Sequence, residues 1–276
     1  MNIQRAINEG TKYLCDFEIQ EPKHICKILL AFLLKKDTTY IVIHQDEEIN
    51  DNIIQSYKIA IEKISKGVPV QYITNEQSFM GLKFYVDENV LIPQPDTEIL
   101  VEEVLEIAKK ENKLTTLDLC TGSGAIGVSI SKYLENSSVT ASDISKNALE
   151  IAQKNAKTYT QKIEFILSNL FENINEKFDI IVSNPPYIET KTINSLSKEV
   201  QNEPHIALDG GEDGLEFYRK IIKEAKKYLN QDGYLAVEIG YNQKEKVIEL
   251  FKQNGYTQIY SKKDLGKNDR IVVGKY

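Results

Sequence analysis

At 276 residues with 41% hydrophobic residues, the chain is long enough for one large domain and a small one, and its composition is that of a folded protein rather than a disordered one. A formal net charge of −7 gives no global electrostatic reason to bind a polyanion, so no nucleic-acid partner is expected. Cys15, Cys26 and Cys120 are an odd number with no paired spacing, which indicates neither a disulfide framework nor a cysteine-rich zinc site and fits a reducing cytoplasm.

The first residues, Met1-Asn2-Ile3-Gln4-Arg5, lead into no signal-type apolar core, and the longest apolar run, Ile28 to Leu34, is too short to span a bilayer. A cytoplasmic protein is expected. Up to about Ile64, apolar residues recur with helical spacing. Ile25, Ile28, Leu29, Phe32 and Leu33 mark one helical face, and Ile53, Ile54, Tyr57, Ala60, Ile61 and Ile64 another that ends near Gly67-Val68-Pro69. A helical bundle over residues 1–74 follows, with partner docking and structural capping as its two readings. The alternation of Phe79 to Val86 about Gly81 predicts a β-hairpin within a linker, 75–92. Pro93-Gln94-Pro95 then stops the chain, and Asp96 or Thr97 is a candidate cap for a helix burying Ile99, Leu100, Val104, Leu105 and Ala108.

Over residues 93–276 strands alternate with helices. Strands are predicted at Thr115 to Cys120, Val139 to Ser142, Ile163 to Leu167, Phe178 to Val182, Tyr234 to Ile239 and Arg270 to Val273. Helices are predicted at Ala125 to Leu134, Lys146 to Lys157, Phe217 to Leu229 and Lys244 to Asn254. This is an α/β pattern, a mostly parallel, doubly wound sheet that binds ligands at the carboxyl ends of its strands.

Two stretches carry chemistry. Asp118-Leu119-Cys120-Thr121-Gly122-Ser123-Gly124-Ala125-Ile126-Gly127 follows a strand and opens a helix, so its glycines let backbone approach a ligand. Asp143 closes the next strand, where nucleoside ribose hydroxyls would lie. The loop alone suits either a dinucleotide or S-adenosylmethionine. Asp118 before the glycines and Ser183-Asn184-Pro185-Pro186-Tyr187 after a later strand favour the methyl donor. Neither proline can donate to a ladder, so the chain leaves the sheet as a rigid turn that points the Asn184 amide and sets Tyr187 beside it. Such a turn suits holding a planar NH2 group. His24, His44 and His205 lack metal spacing, and Ser123 lacks the outer glycines of a nucleophile elbow. Glu238 reads equally as an active-edge or a structural carboxylate.

The sequence resembles the HemK/PrmC family, the protein-(glutamine-N5) methyltransferases of peptide chain release factors. The resemblance is carried by Gly67 to Ile73, Leu91 to Glu98, Asp118 to Gly127, Asn184 to Tyr187, Glu203-Pro204 with Ala207 to Gly211, Asp213 to Leu215 and Asp269 to Gly274. It implies a class I S-adenosylmethionine-dependent methyltransferase with a small N-terminal helical domain, acting on class 1 release factors and leaving S-adenosylhomocysteine; a monomer is expected. Cys120, Thr121, Gly122, Ser123 and Gly124 would wrap the methionine part of the cofactor, with Asp118 and Gly127 in the same loop. Asp143 would bind the ribose with Ile144 beside it, and Asn169 and Leu170 would flank the adenine. Asn184, which also borders the cofactor, and Pro185, Pro186 and Tyr187 would hold the substrate amide. The chain departs from the family at Asn169, usually Asp, and at Gln94, usually Arg. Asn-Pro-Pro-Tyr is shared with adenine methyltransferases, so an adenine-N6 methyltransferase and a non-catalytic interaction protein are the alternative readings.

Overall fold

The computed structural model describes residues 1–17, 19–112, 114–160 and 162–276. They divide into two units, Met1–Glu76 with Leu196–Asn202, and Gln77–Ser195 with Glu203–Tyr276. The first unit contains α1 (Ile3–Cys15), α2 (Pro22–Leu34), α3 (Thr38–Ile43), α4 (Asp51–Ser65) and α5 (Val70–Thr74). Asn2, Asp37 and Asn50 start α1, α3 and α4 by accepting backbone N–H groups that the helix itself leaves orphaned. On α4 the periodic residues Ile54, Tyr57, Ala60, Ile61 and Ile64 are buried, whereas Ile53 packs at the margin of the core. On α2 the buried face is Cys26, Leu29, Leu30 and Ala31, rotated from the expected one, and Phe32 is 45% exposed. That helix is apolar nearly all round, so periodicity alone could not fix which side faces inward.

The second unit opens with the antiparallel hairpin β1 (Gln77–Phe79) and β2 (Leu82–Phe84), where Phe79 pairs with Leu82. Its two turn residues, Met80 and Gly81, both have positive φ, the geometry that matches strand twist in a two-residue turn. Phe79 and Phe84 are fully buried in this unit's core. Further along come α6 (Glu98–Glu111), β3 (Thr115–Leu119), α7 (Ala125–Tyr133), β4 (Ser138–Asp143), α8 (Lys146–Tyr159), β5 (Ile163–Leu167) and β6 (Phe178–Ser183). After the short turns α9 (Thr190–Ile193) and, in the first unit, α10 (Lys198–Gln201), the chain completes α11 (Glu216–Ala225), β7 (Leu229–Glu238), α12 (Lys244–Gln253), β8 (Thr257–Lys263) and β9 (Asp269–Lys275).

The seven-stranded sheet runs β5-β4-β3-β6-β7-β9-β8, parallel up to β7 and antiparallel at β9 and β8. Its central strands are buried on both faces with period two. Ile180, Val182, Ala236, Ile271 and Val273 pack on one side, and Ile181, Leu235, Val237 and Val272 on the other against Tyr218, Ile221, Ile222 and Phe251. The unpredicted β8 is an outer strand, half exposed and ending in Lys262 and Lys263, so it lacks the apolar run that marks its neighbours. No helix among the described residues is long and apolar enough to cross a membrane.

Register places the functional loops. Leu119 pairs with both Ser142 and Ser183, and Asp143 pairs with Leu167. The chain therefore leaves the sheet at 120, 144, 168 and 184 along one carboxyl edge. The strand order reverses between β3 and β6, which is where open α/β sheets bind ligands.

Candidate active site

The glycine loop is built on a buried acid. Asp118 is wholly buried, and its Oδ2 accepts from Thr121 Oγ1 at 2.5 Å and from the Gly127 backbone N–H at 2.8 Å. Burial pushes its carboxyl up to about 6, against the opposing pull of those two bonds. A Cβ at Gly127 would lie 2.9 Å from Asp118 Oδ2, so glycine is required for helix and strand to approach this closely. Asp118, Gly124 and Gly127 thus shape the loop and do not line the cavity above it. At Gly122, φ is +56° and an added Cβ would meet nothing within 4 Å, so the loop presents bare backbone to open space.

That space is a cavity of about 210 Å³. Cys120, Thr121, Gly122, Ser123, Asp143, Ile144, Asn169, Leu170, Asn184 and Pro186 all line it, as the sequence places them; Pro185 and Tyr187 do not. Asp143 Oδ2 accepts from the Gly122 N–H and Oδ1 from the Ser145 N–H, both at 2.8 Å, so each oxygen keeps a lone pair for a ligand hydroxyl. Burial raises its carboxyl and these backbone bonds lower it. Burial also pushes the Cys120 thiol up, which makes it a neutral wall rather than a nucleophile. The Asn169 amide donates to Glu172 Oε1 at 2.8 Å, leaving its carbonyl as an acceptor.

Asn184 follows Ser183 at the end of β6, and its Nδ2 donates to Thr97 Oγ1 at 3.3 Å. Thr97 makes no side-chain cap bond to α6, so its expected capping role gives way to holding this amide. Glycines crowd the turn after it. Cβ atoms at Gly210 and Gly214 would fall 2.7 Å from Tyr187 Cα and 2.4 Å from Tyr187 O. Gln243 Nε2 donates to that same carbonyl at 3.0 Å. The Tyr187 hydroxyl donates to Glu238 Oε1 at 3.3 Å, and burial raises both the phenol and the carboxyl, the latter to about 7.

Sequence reasoning missed several contributors. Asn155 is buried and donates to the carbonyls of Ser123 at 2.9 Å and Tyr85 at 3.0 Å, fastening the glycine loop to the segment after the hairpin. Phe217 and Lys220 of α11 line the cavity, as do Pro204 and Ile206. Glu203 Oε2 accepts from the Ile92 N–H at 2.8 Å, and burial pushes its carboxyl up to about 7. A folded pKa above the ordinary 4.5 means that Glu203's contribution is fully present below pH 4.5 and is lost as pH rises through 7. Glu203→Gln is therefore expected to unfold at higher urea than the parent chain at pH 8, by about 3 kcal/mol at most, and equally near pH 4. Urea melts at the two pH values check this.

Comparison with known proteins agrees with this construction. The methyltransferase small domain family matches residues 94–211 and the PrmC N-terminal domain family matches residues 5–74. A release factor glutamine methyltransferase of Clostridium acetobutylicum is 42% identical over 90% of this chain and 89% of its own. One from Buchnera aphidicola subsp. Schizaphis graminum is 41% identical over 100% of this chain and 99% of its own. A solved methyltransferase from Pyrococcus furiosus, 18% identical, shares the fold with a TM-score of 0.53 over 80% of this chain and 98% of that one. With identities above 40% spread over nearly the whole length, the chain belongs to the release factor glutamine methyltransferase family, on the class I S-adenosylmethionine-dependent methyltransferase fold.

Proposed function

We propose that the chain methylates the side-chain N5 nitrogen of the glutamine in the Gly-Gly-Gln loop of class 1 peptide chain release factors, with S-adenosylmethionine as donor. The observation that carries this reading is the placement of Asn184. Its amide is fixed by Thr97 on the wall of the cavity that also holds the glycine loop and Asp143.

The residues present fit the donor. Bare backbone at Gly122 admits its methionine part, the lone pairs on Asp143 suit a ribose diol, and the apolar Ile144 and Leu170 suit the faces of an adenine. When bound, S-adenosylmethionine supplies a sulfonium methyl already activated as an electrophile. The chain's task is then to prepare the nucleophile, because an amide lone pair is delocalised into its carbonyl. Asn184 Oδ1 and the Pro185 backbone carbonyl would each accept one hydrogen of the substrate NH2, turning the remaining lone pair toward the methyl, with Tyr187 against the amide plane. As the N–C bond forms and the S–C bond breaks, the nitrogen becomes strongly acidic and its proton passes to solvent, so no general base is required.

Methyl-labelled donor incubated with a release factor and, separately, with DNA tests the assignment. Label in the protein alone supports it, and label in adenine overturns it.

Asn169 offers a second check. An Asp there would place charge against the adenine amino group. It would also forfeit the 2.8 Å bond to Glu172 and set two carboxylates together. Asn169→Asp alone is expected to leave cofactor affinity within about threefold, and Asn169→Asp with Glu172→Gln to tighten it severalfold. Calorimetry on both variants decides.

A further inference from the structure

Glu238 ends β7 one residue past Val237, which pairs with Ser183, so it stands level with Asn184, the first residue after the neighbouring strand. It is 2% exposed, at the edge of the sheet where the reaction is placed. A buried carboxylate costs stability that a leucine or methionine at the same place would not, unless its charge is used. Here Oε1 accepts from the Tyr187 hydroxyl while Oε2 is buried with no hydrogen-bond partner. The Thr97 hydroxyl, which accepts from Asn184, lies close enough to favour the ionised carboxyl. From below, the buried Tyr218 hydroxyl donates to the Glu238 backbone carbonyl at 2.9 Å. One carboxyl group thus adjoins both ends of the Asn184–Tyr187 turn, Tyr187 directly and Asn184 through Thr97.

The geometry points to Glu238 as a positioning residue for methyl transfer, one that holds Tyr187 and the Thr97–Asn184 pair in the arrangement that receives the substrate amide. This rests on the function proposed above and deepens it. Glu238 touches neither the cavity nor the reacting atoms, so it acts through those residues. The ionised carboxylate grips the Tyr187 hydroxyl more strongly than the neutral acid. The groups facing it are Tyr187 from the turn, Arg270 from β9, Asp96 and Thr97 before α6, and Tyr218 from α11. Arg270 and Thr97 favour the charged form and Asp96 opposes it, while burial raises the carboxyl to about 7. Turnover should therefore climb with pH through that region.

The test compares the full-length parent chain, Glu238→Gln, Tyr187→Phe and the double variant in methyl transfer from S-adenosylmethionine to a release factor between pH 5.5 and 9. Glu238→Gln is expected to lower kcat about tenfold to a hundredfold at pH 8 with little change in KM, and to flatten the climb near pH 7. Tyr187→Phe should lose part of that factor, and the double variant no more than Glu238→Gln alone, because the contact that Tyr187→Phe breaks is one of those lost with Glu238. Full kcat with an unchanged pH profile in Glu238→Gln overturns the inference, as does an additive double variant. If Glu238→Gln fails to fold, Tyr187→Phe decides, since it removes only the hydroxyl; an unchanged kcat and pH profile there overturns the inference as well. A parent chain that leaves glutamine unmodified overturns the function with it, whereas an active parent beside an unaffected Glu238→Gln overturns this inference alone.

Discussion

Asn184→Ala is expected to reduce kcat for glutamine methylation by about a thousandfold or more while leaving S-adenosylmethionine affinity within about tenfold. The asymmetry follows from what the side chain touches. Its Nδ2 is spent on Thr97 Oγ1, so the group offered to the substrate is the carbonyl oxygen. In the proposed reading, removing it takes away an acceptor that would both orient the substrate nitrogen and shift charge onto it. Such contributions strengthen as charge develops, so the loss falls on kcat more than on KM. The substitution leaves in place the glycine loop, Asp143 and the walls at Ile144 and Leu170, which the proposed reading gives to the cofactor. Initial rates against release factor concentration, with calorimetry for the cofactor, separate the two quantities. A variant that binds cofactor normally and still turns over within tenfold of the parent chain would remove Asn184 from the reaction.

Asp143→Ala should act on the other half of the site, weakening cofactor binding about a hundredfold. Two losses combine. In the proposed reading the carboxylate would accept from the ribose diol, and charge-assisted bonds of this kind each contribute about 1.5–3 kcal/mol. It also accepts from the Gly122 and Ser145 N–H groups, so its removal leaves two backbone donors unpaired and loosens the loop that must lie against the ligand. Asp143→Asn should lose less, since its carbonyl oxygen can keep one of those bonds. Calorimetric titration with S-adenosylhomocysteine, which carries no reactive methyl, measures the effect without turnover. Equal affinity in Asp143→Ala and the parent chain would sink this role.

What the sequence revealed and what it hid divide along the range of each interaction. The diproline exit at Pro185-Pro186, the glycine loop from Asp118 to Gly127 and Asp143 at a strand end each carry their geometry within ten residues, because φ restrictions and strand-to-helix turns are local. Thr97 shows the reverse: its partner Asn184 is 87 residues away, and a threonine ahead of an apolar run reads as a cap. The Glu203 contact with Ile92 spans 111 residues and has no local signature either. β8 was hidden because an outer strand needs no apolar alternation, and the face of α2 because a helix apolar nearly all round offers several apolar stripes of similar strength. Glu238 was legible as a residue at the active edge but ambiguous in role. Only the register of β6 and β7, with the Tyr187 hydroxyl against it, distinguishes it from an ordinary buried acid.

A cavity built in this way should deliver a methyl group to a glutamine side chain. Peptide mass mapping tests it most directly: the chain is incubated with S-adenosylmethionine and a release factor carrying its Gly-Gly-Gln loop, and the digest is fragmented. One added methyl on the side chain of that glutamine, absent when Asn184→Ala replaces the parent chain, is the result expected. A glutamine left unmodified while calorimetry shows the cofactor bound would contradict it.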